Sequence, residues 1–223
     1  MSQEARSQCT LEAVREAAVR IAPFAHLTPV LRSASLDRIS GADLFFKAEH
    51  LQRVGAFKFR GACNAVFSLD EATSARGVVT QSSGNHGAAI ALACRLRGIP
   101  ATVVMPTSAP AVKRAAIADF GARIVDCEVA QHDRDRVTAR VLEETGGVLI
   151  HPFDDPRVIA GQGTAALELL HQVPDLDAVI APVSGGGLLS GTLIAAKELA
   201  PRVEVFGAEP EGAADAHASL REG

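Results

Sequence analysis

The chain has 223 residues, of which 48% are hydrophobic and 22% are charged, and its formal net charge is −4 at pH 7. These values are typical of a globular protein with one large domain or two small ones. Aromatic residues make up only 4%, and no basic stripe is visible, so nucleic acid is not an expected partner. No apolar run is long enough to span a membrane, and the polar N-terminus has no signal-peptide pattern. We therefore expect a soluble cytoplasmic protein.

The four cysteines, Cys9, Cys63, Cys94 and Cys127, are widely spaced and form no C-x-x-C pair. A disulfide framework or a zinc site would show closer or paired spacing. We expect small buried thiols in a reducing compartment.

Short apolar runs alternate with amphipathic segments along most of the chain. A helix is predicted from Thr10 to residue 21 and a strand over 43–49. Further strands are predicted over 77–82, 101–106, 122–127, 148–152, 177–183 and 203–209, with helices over 85–98, 109–121, 133–147, 156–173 and 187–200. This alternation predicts parallel strands joined by crossover helices. The expected fold is α/β and doubly wound, with ligands at the carboxyl ends of the strands.

The segment GAFKFRGA, residues 55–62, places Lys58 between two phenylalanines. A lysine in a sequence is most often a solvated surface charge. It can also be a partly desolvated amine, which ionises less readily and forms imines with carbonyl compounds. The segment alone leaves both interpretations open.

The loop QSSGNHG, residues 81–87, follows a predicted strand and opens a predicted helix. Backbone N–H groups at such a helix start can bind a carboxylate or a phosphate. Hydroxyl, amide and imidazole groups are added by Ser82, Ser83, Asn85 and His86. A plain capping turn is the alternative, since Ser and Asn are favoured at helix starts.

The segment GQGT, residues 161–164, follows HPFDDPRVIA. We expect its glycines to pack the start of a helix closely against the sheet. This interpretation gives the segment a structural role and no ligand.

A run of three glycines lies in SGGGL, residues 184–188, between a predicted strand and a predicted helix. Consecutive glycines cost backbone entropy, which indicates that the main chain approaches a ligand closely. Strand, glycines and helix together predict a phosphate cradle, with a flexible turn as the alternative. The chain has neither G-x-G-x-x-G nor a P-loop, so binding of a nucleotide is only weakly indicated.

A lysine in an apolar frame, an anion cradle and a polar helix start fit one kind of ligand. A phosphate-bearing aldehyde needs an amine to bind it, a seat for its phosphate, and donors for the carboxylate of its substrate. Pyridoxal phosphate has these three requirements.

The motifs resemble those of a known family. In order, they are KAEHLQRVGAFKFRGA (47–62), SSGNHG (82–87) and PVSGGGLLSG (182–191). They are similar to motifs of the fold-type II pyridoxal-phosphate enzymes, in the branch of serine/threonine dehydratases, serine racemases and 3-hydroxyaspartate dehydratases. The resemblance runs from about Thr28 to the last residue. The sulfhydrylase and cystathionine synthase branch typically has a TSGNTG-like loop, so SSGNHG argues against it.

The resemblance implies a tryptophan synthase β-like fold with two domains. The large, cofactor-binding domain would comprise 1–76 and 152–223, and the small α/β domain 77–151. Relatives continue beyond HASLREG, so the resemblance implies that the C-terminal part of the large domain is missing, including a Ser or Cys that binds the pyridine nitrogen. We expect the chain as written to be poorly active or inactive by itself.

The resemblance also assigns roles to single residues. It implies that Lys58 binds the cofactor aldehyde, that Phe57 lies beside the ring, and that Asn85 binds the ring hydroxyl. The implied phosphate loop is Ser184, Gly185, Gly186, Gly187 and Leu188. Ser83 would lie across the cofactor from Lys58 as a second catalytic residue. The substrate carboxylate would be received by Ser82, Ser83, Gly84, Asn85 and His86.

A further stretch, EPEGAAD (209–215), resembles the divalent-cation site of this branch. The implied ligands of Mg²⁺ or Ca²⁺ are the Glu209 and Asp215 side chains and the Ala213 carbonyl, which are oxygen donors suited to these ions. A solvated acidic loop is the interpretation that the residues alone favour.

The function implied by the resemblance is that of an ammonia-lyase, which converts a small β-hydroxy amino acid, L-threonine or L-serine, to a 2-oxo acid and ammonia. The alternatives are a serine racemase, a threo-3-hydroxyaspartate dehydratase, or a catalytically inactive relative that acts as a binding or regulatory module. A homodimer is also implied.

Overall fold

The computed structural model describes residues 7–222. Its helices are α1 (Leu11–Ile21), α2 (Ala34–Ser40), α3 (Lys58–Phe67), α4 (Glu71–Ala75), α5 (Asn85–Arg97), α6 (Ala111–Asp119), α7 (Gln131–Thr145), α8 (Pro156–Gln172), α9 (Gly187–Leu199) and α10 (Asp215–Glu222). Its strands are β1 (Val30–Leu31), β2 (Phe46–Lys47), β3 (Val78–Gln81), β4 (Ala101–Pro106), β5 (Arg123–Cys127), β6 (Val148–Leu149), β7 (Ala178–Pro182) and β8 (Glu204–Ala208). Short 3₁₀ helices cover Glu49–Leu51, Arg53–Gly55 and Glu211–Ala213.

Four parallel strands form a sheet in the order β5-β4-β3-β6. Neighbouring residues of a strand point to opposite faces, and both faces of this sheet are covered. Val78 and Val103 pack in the same cluster as Ile90 of α5. Val79 and Val104 pack on the other face, in the same cluster as α7. Burial on both faces explains the continuous apolar runs, and it confirms the doubly wound α/β prediction.

The other strands form two separate pairs. β1 and β2 are antiparallel, and β7 and β8 are parallel. Ile180 and Phe206 are neighbours in the register of the second pair and are 70% and 48% exposed. One face of this pair is therefore apolar and uncovered.

The predicted strand over 43–49 is reduced to two residues, Phe46 and Lys47. Its partner β1 and the short helix α2 were not predicted, because such short elements show too few periods of hydrophobicity to be recognised. The four-stranded sheet lies within residues 78–149, and the other strands lie outside this range. The proposed division into two domains stays a prediction, and its residues 1–6 and 223 lie outside the described residues.

The prediction for residues 161–164 is wrong, because this segment lies inside α8 and packs against helices. A Cβ atom on Gly161 would lie 2.6 Å from the Arg60 carbonyl oxygen in α3. A Cβ atom on Gly163 would lie 2.9 Å from the Gly191 carbonyl oxygen in α9. The glycines allow the backbones of three helices to approach closely, a tertiary effect that overrides their low helix propensity.

Cys63, Cys94 and Cys127 are buried thiols without a disulfide bond, as expected. Burial raises the pKa of the Cys63 and Cys94 thiols to about 12, so these groups are inert at neutral pH. Among residues 7–222, no helix has both the length and the hydrophobicity needed to cross a membrane.

The contact between α8 and α9 gives a test of this packing. Gly191→Ala should lower the free energy of unfolding by about 1–3 kcal/mol, because overpacking outweighs the better helix propensity of alanine. The new Cβ would lie 2.5 Å from the Gly163 nitrogen and 2.6 Å from the Ile159 carbonyl oxygen. Because these are backbone atoms, α8 or α9 would have to shift as a whole to relieve the clash.

Urea unfolding measures the change. Gly212→Ala is the matched control, since nothing lies within 4 Å of its added Cβ, and it should change stability by less than about 0.5 kcal/mol. Equal effects of the two substitutions would contradict the close contact.

Candidate active site

Helix α3 begins at Lys58, and Arg60 anchors its first turn. The Arg60 side chain is completely buried. Its guanidinium donates two hydrogen bonds of 2.8 Å to the Glu49 carboxylate and bonds of 2.7 and 2.8 Å to the Glu168 carboxylate. The Lys47 amine also donates to Glu168, at 2.6 Å. Two cations thus meet two anions, which is the condition for keeping such charges out of water.

Burial and pairing act on these groups in opposite directions. Burial alone would lower the pKa of Arg60, but Glu49 and Glu168 raise it above its ordinary value. Burial alone would raise the pKa of Glu168, but Arg60 and Lys47 lower it below its ordinary value. The groups therefore remain charged, and the network ties α3 to α8 and to residues 49–51.

The Lys58 amine is partly withdrawn from water. Its Nζ donates a hydrogen bond of 2.9 Å to the Pro152 carbonyl oxygen and lies 5.3 Å from the centre of the Phe57 ring. Burial lowers the pKa of this amine below its ordinary value of 10.5. Of the two interpretations left open by the sequence, the structure supports the desolvated amine.

The serine-rich loop lies between the end of β3 and the first turn of α5. Ser82 and Ser83 are half-buried, and the Ser82 hydroxyl accepts a hydrogen bond of 3.2 Å from the Gly84 N–H. The Ser83 hydroxyl is left without an intramolecular hydrogen bond in the described part of the chain. A cation is nearby, since a Cβ on Gly84 would lie 3.7 Å from the Lys113 Nζ. The positive end of the α5 dipole and an ammonium group thus face one loop.

His86, in the first turn of α5, is 3% exposed. Neither ring nitrogen has a hydrogen-bond partner within residues 7–222. Burial, together with the nearby Lys58 charge, lowers the pKa of this imidazole to about 3. The nearby Ile150 carbonyl opposes this shift, although it is not placed for a regular hydrogen bond. The ring is therefore neutral at pH 7, with unsatisfied polar atoms next to the predicted cofactor lysine.

The glycine loop lies between β7 and α9, as predicted. Gly186 has a φ of +84°, a left-handed conformation that favours glycine, and it caps α9. A Cβ on Gly185 would lie 2.2 Å from the Cγ and Cδ1 atoms of Phe153. A side chain at position 185 would require the Phe153 ring to move, because the ring lies against the Gly185 Cα atom.

A turn of residues 151–154, which we call the HPFD turn, touches both parts of the predicted cofactor site. Pro152 accepts the hydrogen bond from Lys58, and Phe153 covers Gly185. The turn follows β6, which is the parallel neighbour of β3, so the HPFD turn and the serine loop lie at the same edge of the sheet. A role for this turn or for Lys113 was not predicted from the sequence. A polar and aromatic segment directly after a parallel strand was the available signal.

The other predicted residues of these segments differ in their surroundings. Phe57 and Leu188 line a cavity of about 470 Å³ between β2, α8 and β7, which neither Lys58 nor the serine loop lines. Ser184 and Asn85 are exposed.

The Glu209 carboxylate accepts hydrogen bonds of 3.1 and 2.6 Å from the backbone N–H groups of Ala216 and His217. Within residues 7–222, no three side chains of His, Cys, Asp or Glu form a cluster that could hold a metal. The set of Glu209, Ala213 and Asp215 contains two carboxylates and a carbonyl, so it stays a prediction.

Residues 21–223 match the family model described as "Pyridoxal-phosphate dependent enzyme". The chain belongs to this family. It is 53% identical over 203 residues to a serine racemase of Arabidopsis thaliana, covering 91% of this chain and 61% of the relative. It is 50% identical to the beta-hydroxyaspartate dehydratase of Paracoccus denitrificans, covering 96% of this chain and 68% of the relative.

The crystal structure of the T.th. threonine deaminase has a TM-score of 0.90 to this chain and 47% identity. The match covers 95% of this chain and 68% of that structure. These findings confirm the predicted fold class and the predicted branch of pyridoxal-phosphate enzymes. The chain spans 61% to 68% of the length of these relatives.

Glu168→Gln tests the network around Arg60. We expect it to lower the free energy of unfolding at neutral pH by about 1–3 kcal/mol, because Arg60 loses a charged acceptor. The folded pKa of Glu168 lies below the ordinary 4.5, so the advantage of the wild type is complete above that value and shrinks as the pH falls through the folded pKa.

Urea unfolding across this pH range measures the difference. Glu144→Gln is the control, because Glu144 is exposed and its ion pairs with Arg123 and Arg140 are 3.8 and 3.6 Å long. A stability difference for Glu168→Gln that did not change with pH would show that the carboxylate is not held ionised by Arg60.

The His86 ring should remain neutral in the folded chain until the pH approaches about 3. The unfolded chain takes up this proton near the ordinary pKa of 6.5, so His86 makes folding less favourable as the pH falls from 6.5 to about 3. The slope is at most about 1.4 kcal/mol per pH unit. NMR titration of the ring protons measures the pKa, and His86→Gln should remove this part of the acid sensitivity. Titration of His86 near neutral pH would contradict its burial.

Proposed function

We propose that this chain provides the cofactor lysine and the anion loop of a pyridoxal-phosphate-dependent ammonia-lyase. The reaction would convert a β-hydroxy amino acid, L-threonine or L-serine, to a 2-oxo acid and ammonia. The observation that carries the proposal is the Lys58 amine, which is half-buried, has a lowered pKa, and donates to a turn that also covers the glycine loop. The names of the dehydratase and deaminase relatives support this choice.

The residues present fit the cofactor. Lys58 would hold its aldehyde, because a lowered pKa keeps more of the amine unprotonated and nucleophilic at neutral pH. Residues 184–188 would hold its phosphate with backbone N–H groups at the start of α9, a helix of 13 residues. Phe57 would lie against its ring, and Asn85, whose side chain is exposed, would bind its hydroxyl.

When bound, pyridoxal phosphate supplies an electron sink that stabilises negative charge at the substrate α-carbon. Residues of the chain would bind the substrate and move its proton. The N–H groups of residues 82–86 and the Lys113 ammonium would bind the substrate carboxylate at the start of α5. The Lys58 Nζ, as a free amine, would take the α-proton. The Ser83 hydroxyl would hold the substrate from the other side.

A serine racemase is the second candidate, because relatives with this name are up to 53% identical to the chain. In that case the Ser83 Oγ would return a proton to the opposite face of the α-carbon. A threo-3-hydroxyaspartate dehydratase is supported by the Paracoccus relative. A module that binds the cofactor without catalysis is the remaining candidate, and the uncovered apolar face of β7 and β8 would suit such a binding role.

Lys58→Ala tests the cofactor lysine. We expect pyridoxal phosphate to give a visible absorbance band with the wild type, and borohydride to fix it on Lys58. The substitution should abolish both signals, whereas Lys197→Ala, at an exposed position, should leave them unchanged. A Lys58→Ala protein that still showed the band and the fixed adduct would refute the assignment.

The candidate reactions are separated by their products. Incubation with L-serine, L-threonine and threo-3-hydroxyaspartate, with and without Mg²⁺, should yield 2-oxo acids for a dehydratase and D-serine for a racemase. Cofactor binding without either product would identify a binding module.

Dependence on Mg²⁺ that is lost in Glu209→Gln would support the predicted cation site, and light scattering would test the predicted homodimer. The cytoplasmic location is also part of this proposal and is supported by Cys63, Cys94 and Cys127, which form no disulfide bond.

A further inference from the structure

One imidazole holds the HPFD turn. The Nδ1 atom of His151 accepts a hydrogen bond of 2.9 Å from the Asp154 N–H and one of 3.4 Å from the Phe153 N–H. A ring nitrogen that accepts N–H groups carries no proton, so the proton of the neutral ring lies on Nε2. The ring also packs edge-on against Phe153, with 4.5 Å between the ring centres.

The turn contacts two segments that are distant in sequence, the start of α3 and the glycine loop. Its Pro152 carbonyl accepts the hydrogen bond from Lys58 Nζ at 2.9 Å. Its Phe153 ring covers Gly185, and the Phe153 Cα and carbonyl oxygen would lie 3.2 Å from a Cβ on Gly187. The position of the amine and the packing of the glycine loop thus depend on the same turn.

Charged and titratable groups from four helices and from the turn itself surround the His151 ring. They are Lys58 on α3, His86 on α5, Asp135 on α7, Asp154 in the turn, and Asp155 at the start of α8. Burial lowers the pKa of His151, and Lys58 lowers it further, whereas the three aspartates raise it. The net shift is downward from 6.5, so the ring is an acceptor at neutral pH.

We propose that His151 is a positioning residue for Lys58, acting through the HPFD turn. The neutral imidazole holds the turn against the amine and the glycine loop. Protonation at Nδ1 turns this acceptor into a donor and repels the two N–H groups, which releases the Pro152 carbonyl from Lys58 and the Phe153 ring from Gly185. The consequence for the cofactor rests on the proposed function, but the effect on the Lys58 amine does not.

The first experiment needs no cofactor. The apparent pKa of Lys58 is read from the pH dependence of its labelling by a limiting amount of an amine-reactive reagent, with mass spectrometry and Lys197 as internal reference. In His151→Leu the released amine becomes hydrated and its pKa rises toward 10.5. Its free-amine fraction at a mildly alkaline pH should then fall about threefold or more.

Two further variants control this result. In His151→Asn the side-chain amide oxygen can accept the same N–H groups, as in an Asx turn, so Lys58 should titrate as in the wild type. His171→Leu is the matched histidine control, since the ring of His171 contacts the Leu167 carbonyl within α8, and it should leave Lys58 unchanged.

The second experiment measures the affinity for pyridoxal phosphate against pH. At mildly alkaline pH, His151→Leu should bind about tenfold more weakly than the wild type, as expected for the loss of two hydrogen bonds, whereas His151→Asn should be similar to the wild type. The wild type should lose affinity in acid in two steps, from Lys58 and from His151. Both variants should retain only the Lys58 step.

The outcomes separate the two proposals. If His151→Leu changes neither the titration of Lys58 nor the cofactor profile, the role of His151 is refuted. If His151→Leu does not fold, the His151→Asn profile decides, because retention of both acid steps would refute the role equally. If Lys58 responds as expected but the wild type binds no cofactor, the positioning role stands and the proposed function fails.

Discussion

One buried guanidinium held between two carboxylates fixes the helix on which Lys58 lies. Arg60 is two positions after Lys58 and fully buried, so its charge is stable only while Glu49 and Glu168 both face it. A displacement of α3 would separate the buried guanidinium from its two carboxylates. The ion network therefore fixes the position of the first turn of α3. Hydrophobic packing alone would fix it less strictly.

Helix α8 connects the two halves of the candidate site. It begins directly after the HPFD turn, carries Glu168 to Arg60, and touches α9 where Gly163 meets Gly191. The amine at residue 58 and the loop at 184–188 are far apart in sequence, and both are placed by this helix and by the turn before it. Because both segments contact the same helix and turn, the distance between the amine and the glycine loop is set by one structural unit.

Much of the fold follows from local sequence patterns. Buried parallel strands have continuous apolar sequences, so the β3 to β6 sheet and its helices were predicted. The sequence also indicated Lys58, the serine loop and the glycine loop, whose roles at the cofactor stay predictions. Contacts between distant segments have no local pattern. The pairing of Arg60 with Glu168, the cover of Gly185 by Phe153, and the approach of Lys113 to the serine loop were therefore not predicted. The start of a helix was wrongly predicted at residues 161–164, because glycine usually marks the end of an element. Here the glycines lie inside α8 and permit close contact between helices.

The contacts of α8 also limit which changes its gene can accept. Gly161 and Glu168 are seven residues apart, on one side of α8, and both face α3, whereas Gly163 faces α9 on another side of the helix. Each residue advances an α-helix by about 100°, since 3.6 residues complete a turn. Inserting or deleting a single codon between positions 163 and 168 would swing the carboxylate away from the guanidinium while the glycines stayed in place. Within this family, we expect the number of residues between positions 163 and 168 to be constant even where the amino acids differ.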